Sequence, residues 1–270
     1  MNIERGLAKT HLGYMHYRAA GSTGNETIFL QHMNQQSSAV YLELMAELAP
    51  SLRVVAMDYP SHGDSDHVDQ QPTIGDYANC VVEVADALGI AKFSALGEAA
   101  GAAVSIELAV NHAQRVNKVV LVNCPYYKDR SSAEARHAPL KNGLRPEDAS
   151  GFPLTRTIEF LLSNDAGHAP MRPSQSWMDR INVAQIEAGR HRWQALDALH
   201  LYDISANLQR VRCPILLLIG EHFHYLQYRD EFHGKNSRLR SEVIAGARLC
   251  MGWERAADVG RHTLEFLHAA

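Results

Sequence analysis

Lys92-Phe93-Ser94-Ala95-Leu96-Gly97-Glu98-Ala99-Ala100-Gly101-Ala102 reads as a short apolar strand, a tight turn between two glycines and the start of a helix. The order strand, Gly97 to Gly101, helix has the geometry of a nucleophile elbow, which lifts its middle residue above a sheet. Glycines are needed there because the turn is sharp and the following helix packs close to the strands. In a working elbow the middle residue is Ser, Cys or Asp. Here it is Ala99, and a methyl group cannot attack a carbonyl.

Outward from this turn the chain alternates between strands and helices. Upstream, Tyr14 to Arg18 alternates as a short strand, and Thr27 to Gln31 is a buried strand ending at His32-Met33-Asn34. Ser38 to Leu48 has helical periodicity, and Leu52 to Met57 is a strand that runs into the turn-rich loop Asp58 to Asp66. Ile74 to Leu88 is a helix stopped by Gly89. Downstream, Ala102 to His112 is a helix of small residues and Lys118 to Val122 a very apolar strand. Strands apolar on both faces, alternating with helices, predict a parallel sheet covered on both sides. The alternation stops at Cys124. The polar, uneven stretch to Ser205, with helical periodicity at Thr155 to Leu162, Trp177 to Glu187 and Arg190 to Leu199, is too structured for one loop. It resumes with strands at Pro214 to Ile219 and Ser241 to Ile244 and a closing helix, Glu254 to Leu267. The expected organisation is an α/β core of residues 1–124 and 206–270 carrying a helical lid, 125–205.

Composition narrows the function classes. A 270-residue chain that is 46% apolar supports one large core. A net charge of -4 and the lack of a basic run speak against nucleic acid as the main partner. No apolar run long enough for a membrane span exists, and Met1 to Thr10, with Glu4, Arg5 and Lys9, is no signal peptide. Cys80, Cys124, Cys213 and Cys250 are widely spaced and read as reduced thiols of a cytoplasmic protein. The histidine-rich group Glu221, His222, His224 and His233 matches no zinc pattern, so no metal and no cofactor is assigned. The expected partner is a small-molecule ligand or substrate, with homodimerisation left open.

Several landmarks, in order, resemble the α/β-hydrolase superfamily over nearly the whole chain. His32-Met33 is similar to the His-Gly before the oxyanion loop, and Asp58 to Asp66 to the Asp-x-Pro-Gly-His-Gly-x-Ser loop, with Ser61 in place of one glycine. Leu201-Tyr202-Asp203 through Cys213-Pro214-Ile215 resembles the return from the lid, and Trp253-Glu254-Arg255 the start of the last helix. The resemblance implies the α/β-hydrolase fold: a mostly parallel sheet, helices on both faces and a helical lid. It also places the triad. The serine position holds Ala99, the acid position Phe223, its alternative after the preceding strand Asn123, and the histidine position Leu249. None of these can take part in serine–histidine–acid chemistry.

Backbone donors do not depend on side chains. The N–H of Ala100 opens a helix, and Met33 or Asn34 would supply a second donor to an oxyanion. The expectation is therefore a non-hydrolytic enzyme, a lyase, decarboxylase or cyclase acting on a small carbonyl or carboxylate compound through a retained oxyanion hole. The superfamily's plant decarboxylases with alanine at the elbow are an analogy, although they keep the histidine missing here. The alternatives are an inactive relative that binds a small molecule or partner, and a hydrolase with another nucleophile or one inactivated by engineering. Glu98 is either a general acid or base with a raised pKa, or a glutamate paired with a lid cation. Cys124, at the sheet's carboxyl edge with Lys128 nearby in sequence, is a candidate nucleophile. His222 and His224 are substitute bases. His32, Asn123, Tyr126, Tyr127, Trp177 and Trp193 are candidate substrate-binding residues; the aromatics among them serve equally as lid core.

Overall fold

The computed structural model describes residues 2–127, 131, 132, 134, 135 and 174–269. Eight strands form one sheet: β1 Glu4–Thr10, β2 Gly13–Ala20, β3 Thr27–Gln31, β4 Arg53–Met57, β5 Phe93–Glu98, β6 Val116–Val122, β7 Ile215–Gly220 and β8 Leu239–Ile244. Their spatial order is β1-β2-β4-β3-β5-β6-β7-β8. β1 pairs antiparallel with β2, and β2 with β4; all other pairs are parallel. This is the α/β-hydrolase fold expected from the sequence.

The central strands are apolar throughout because both of their faces are covered. Phe93 and Ala95, Val119 and Leu121, and Ile215, Leu217 and Ile219 enter one core with helices α2 Ile74–Ala87 and α3 Ala100–Asn111. The alternate residues Leu96, Val120, Val122, Leu216 and Leu218 enter a second core under α1 Leu42–Leu48 and the C-terminal helix Ala256–His268. α2 starts with a capping box in which Thr73 and Asp76 satisfy each other's backbone N–H groups. The first ten residues of α3 are buried, as expected for a helix of small residues wedged between sheet and neighbouring helices.

After β6 come α4 Gln175–Ala188, α5 Gln194–His200 and α6 Ile204–Arg210. The helix expected at Thr155 to Leu162 lies outside the described residues. α7 Arg229–Lys235 follows β7, and the short α8 Met251–Glu254 precedes the C-terminal helix, α9. No described helix is long and apolar enough to cross a membrane.

β1 was not expected. Its sequence, Glu-Arg-Gly-Leu-Ala-Lys-Thr, is that of an edge strand, with charges outward and only Ala8 and Thr10 buried.

Candidate active site

Ala99 sits at the apex between β5 and α3 with φ 51° and ψ -112°, a conformation that L-residues rarely adopt. Its N–H donates to the Val122 carbonyl at 3.0 Å, and its carbonyl accepts from the Ala102 N–H at 3.0 Å. The crossing is close: a Cβ on Gly97 would lie 2.0 Å from the Gly101 carbonyl oxygen, and one on Gly101 would lie 1.9 Å from that of Gln31. The N–H of Ala100, the first residue of α3, belongs to a helix start, where intrahelical acceptors are lacking and the dipole favours negative charge.

Strain is concentrated at this edge. Among the described residues, the non-glycine positions with positive φ are Gln35, Ser61, Ala99, Asn123 and Cys250. Each follows the carboxyl end of one of the parallel strands β3, β4, β5, β6 and β8. Such residues cost about 1–3 kcal/mol each and persist where the surroundings over-determine them.

The apex packs against an apolar cluster. Met33, Trp177, Met178, Ile181 and Cys250 are buried together, with Ala99, Leu249 and Trp253 packed against them. Trp177 of α4 stacks on Trp253, centroids 4.3 Å apart. Arg180 of the same helix pairs with Glu43 and donates to the Ala39 carbonyl at 3.1 Å, fastening α4 over this edge. Leu249 thus shares a cluster with Ala99, while Phe223 belongs to the neighbouring core with Cys124, Tyr126, Tyr127, Trp193 and Tyr225.

The polar candidates hold loops in place. His32 is fully buried; its Nδ1 donates to the Met33 carbonyl at 2.7 Å and its Nε2 accepts from the Tyr59 N–H at 3.1 Å, tying the loop after β3 to that after β4. Burial and the adjacent His62 push its pKa down to about 3, so the ring is neutral. Asn123 donates to the Arg248 carbonyl at 2.7 Å and accepts from the Gly220 N–H at 3.0 Å, bracing the turn that carries Leu249. Asn34 is half-buried beside Met33.

Glu98 points to the face of Leu96, away from α3. It accepts from the N–H groups of Met251 at 2.6 Å and Gly252 at 3.0 Å. Among the described residues, these backbone donors hold the carboxylate and no lid cation pairs with it. Burial pushes the carboxyl up to about 7, against the pull of the two N–H groups. Because the folded chain keeps this proton after the unfolded chain has lost it, Glu98 stabilises most below about pH 4.5, and that contribution falls as pH rises to about 7. The change is about 3 kcal/mol. In Glu98→Gln this part of the pH dependence of the urea midpoint is expected to disappear; equal slopes in both proteins would exclude it.

Cys124 is buried and donates to the Pro125 carbonyl at 3.5 Å, and burial pushes its thiol up; Lys128 lies outside the described residues. Tyr126 stacks on Tyr228 with centroids 5.1 Å apart, and Tyr127 meets Tyr225 edge-on at 5.8 Å. Trp193 is buried in the same core. His222 is exposed, its N–H donating to the Ala247 carbonyl, while His224 is half-buried against Phe223 and Tyr225. The histidine-rich group is dispersed: Glu221 accepts from the Gly246 N–H at 2.7 Å and His233 contacts Ser241 Oγ at 2.7 Å.

One buried group escaped the sequence reading. His16 Nδ1 lies 2.7 Å from Asp58 Oδ2, and Ser65 is adjacent. Its wiring is not that of a relay. The Ser65 hydroxyl donates to the Asp58 carbonyl and accepts from the His16 backbone N–H, while His16 Nε2 accepts from Arg5 Nε at 3.1 Å. The available signal was Asp58 itself, a carboxylate directly after a buried strand.

The profile of the Alpha/beta hydrolase family matches residues 21–261. The chain belongs to the alpha/beta hydrolase family. A Caulobacter vibrioides protein named as the carbamate hydrolase RutD is 33% identical over 221 residues, covering 75% of this chain and 76% of its own. A Bacillus subtilis protein named as the carboxylesterase nap is 25% identical, covering 96% of this chain and 85% of its own. Among solved structures, a hydrolase from Pseudomonas aeruginosa superposes with a TM-score of 0.81 at 20% identity, covering 98% of this chain and 99% of its own, a likeness of fold. These relatives are named as enzymes, and as hydrolases. They overturn the expectation of a non-hydrolytic lyase, decarboxylase or cyclase in this alpha/beta hydrolase. That expectation inferred the reaction from three side chains, which govern how a bond is cleaved and do not by themselves fix which bond the scaffold serves.

Proposed function

We propose that this chain hydrolyses small esters or carbamates by direct attack of hydroxide, without an elbow nucleophile and without a serine–histidine–acid triad. The observation that carries the reading is the strained conformation kept at Ala99. A methyl group gains nothing from being lifted to an apex, so the part of the turn still in use is its backbone, which aims the Ala100 N–H. In this reading residues 125–205 are a lid over a core of 1–124 and 206–270.

The substrate carbonyl oxygen lies against the N–H groups of Ala100 and Met33, and Asn34 borders the same loop. The carbonyl carbon sits over the Ala99 methyl, which leaves space for water where a hydroxyl would stand. Hydroxide adds to that carbon, the oxyanion is held by the two donors, and the C–O or C–N bond breaks as the leaving group departs or takes a proton from solvent. One such donor lowers the barrier by about 3–4 kcal/mol. A site of donors and binding alone accelerates by roughly 10³–10⁴ over water, which suits acyl groups with good leaving groups. Among the described residues, the cluster around Ala99 offers no base: Met33, Trp177, Met178, Ile181, Leu249 and Trp253 do not titrate, and burial and nearby Glu98 hold the Cys250 thiol well above its usual range. The names of the relatives support the choice of esters and carbamates.

Aryl esters and aryl carbamates test the reading. The expected kcat/KM rises in proportion to hydroxide concentration through the neutral range, with no burst of leaving group in rapid quenching. Ala99→Val, which fills the apex, abolishes it. A burst stoichiometric with protein, an acylated protein in the mass spectrum, or no acceleration over buffer overturns it.

A further inference from the structure

We infer a binding site for a divalent transition-metal ion of the zinc and cobalt(II) class, formed by His11 Nδ1, Cys80 Sγ and Glu83 Oε2 where the β1–β2 turn crosses α2. These three ligand atoms all lie within 4.8 Å of one another. His11 Nδ1 is 2.9 Å from Glu83 Oε2 and 4.0 Å from Cys80 Sγ. Zinc binds nitrogen and oxygen at about 2.0 Å and sulfur at about 2.3 Å. The separation of Sγ from Nδ1 is smaller than the sum of two such bonds, so one ion reaches both at a bent angle, with Glu83 as third ligand and water completing the shell.

The sequence and the fold both prepare this group. Asp76, Cys80 and Glu83 are spaced four and three residues apart, which places them on one face of α2. The turn that supplies His11 is fixed by two bonds of Thr10 Oγ1, to the Gly13 carbonyl at 2.9 Å and from the Leu12 N–H at 3.2 Å. The thiol already points at this turn, 3.6 Å from Thr10 Oγ1. On the far side of the imidazole, Nε2 faces Asp76 Oδ1 at 3.7 Å. A carboxylate behind a ligating histidine orients the ring and raises its basicity. The other Asp76 oxygen is held by the Thr73 capping box, which fixes that carboxylate. An imidazole, a thiol and a carboxylate together make a borderline-soft donor set that suits zinc or cobalt better than calcium or magnesium. His11 and Glu83 are each about one-third exposed, so an ion enters from solvent. Burial keeps the proton on the Cys80 thiol, pushing it up to about 12, and the ion displaces that proton on binding.

Without a metal, the imidazole is held between two carboxylates and the buried thiol donates to Thr10 Oγ1, so the test follows sulfur. Chelator-treated protein is titrated with cobalt(II). The expected result is one equivalent bound, with a sulfur-to-cobalt charge-transfer band in the near ultraviolet that zinc abolishes. The band is lost in Cys80→Ser and kept in Cys213→Ser. His11→Gln, on an exposed turn that tolerates substitution, weakens binding by more than about tenfold. No charge-transfer band in the native protein at excess cobalt, the same band in Cys80→Ser, or unchanged affinity in His11→Gln overturns the site.

Discussion

Gly101→Ala is expected to cost about 4 kcal/mol of stability, near the top of what one substitution does. The added methyl would lie 1.9 Å from the Gln31 carbonyl oxygen and 2.9 Å from that of His32. Both belong to the backbone at the end of β3, so neither can rotate aside as a side chain would. α3 would have to withdraw from the sheet, taking the Ala100 N–H with it. The urea midpoint and ester hydrolysis should therefore fall together. Gly89→Ala is the control: Gly89 has φ 68° but nothing within 4 Å of an added methyl, so only backbone strain of about 1 kcal/mol applies. Gly101 lies inside α3 without a positive φ, so alanine there carries no such backbone strain, and a loss in Gly101→Ala no larger than that in Gly89→Ala would exclude the close approach as the cause.

Asp58→Ala is expected to cost about 3–5 kcal/mol, the range for breaking a buried ionic group. Asp58 is fully buried and bonded to His16 Nδ1, to the Ser38 N–H at 2.5 Å and to the Asp64 N–H at 3.1 Å. Its removal leaves those donors without an acceptor and frees the loop after β4 from β2. Burial pushes its carboxyl up, but the bonds from His16 and Ser38 and the proximity of His32 outweigh that and hold it at about 2. The folded value lies below the unfolded one, so the stabilisation is present above about pH 4 and lost as pH falls toward 2. It amounts to about 2 kcal/mol. Acid titration of the native protein should show this loss, and the variant should lack it. An unchanged acid limb in Asp58→Ala would exclude the assignment.

The core was legible because its signal is local. Residues 93–96, 118–122 and 215–219 are apolar on both faces, and two glycines bracket the turn at Ala99. The same local alternation held a further clue: Glu98 shares the parity of Leu96, which sends its carboxylate toward α8 and away from the face of α3. Asn123 and His32, both of which the fold buries, were legible as polar residues at the carboxyl edge and, from the sequence, as candidates for substrate binding. Their partners were not, because a side chain's need for a hydrogen bond says nothing of where the acceptor comes from.

Sequence alone determined the strand and helix pattern, the sharp turn after β5 and the chemical identity of its apex, since each depends on residues a few positions apart. The tertiary structure alone decided that His16 meets Asp58, that Glu98 meets Met251 and Gly252, and that Cys80 meets His11. Those meetings follow from the strand order β1-β2-β4-β3-β5-β6-β7-β8 and from where each helix lands on it. That order is selected by burying two apolar faces at once, a property of the whole chain that no short window of sequence contains.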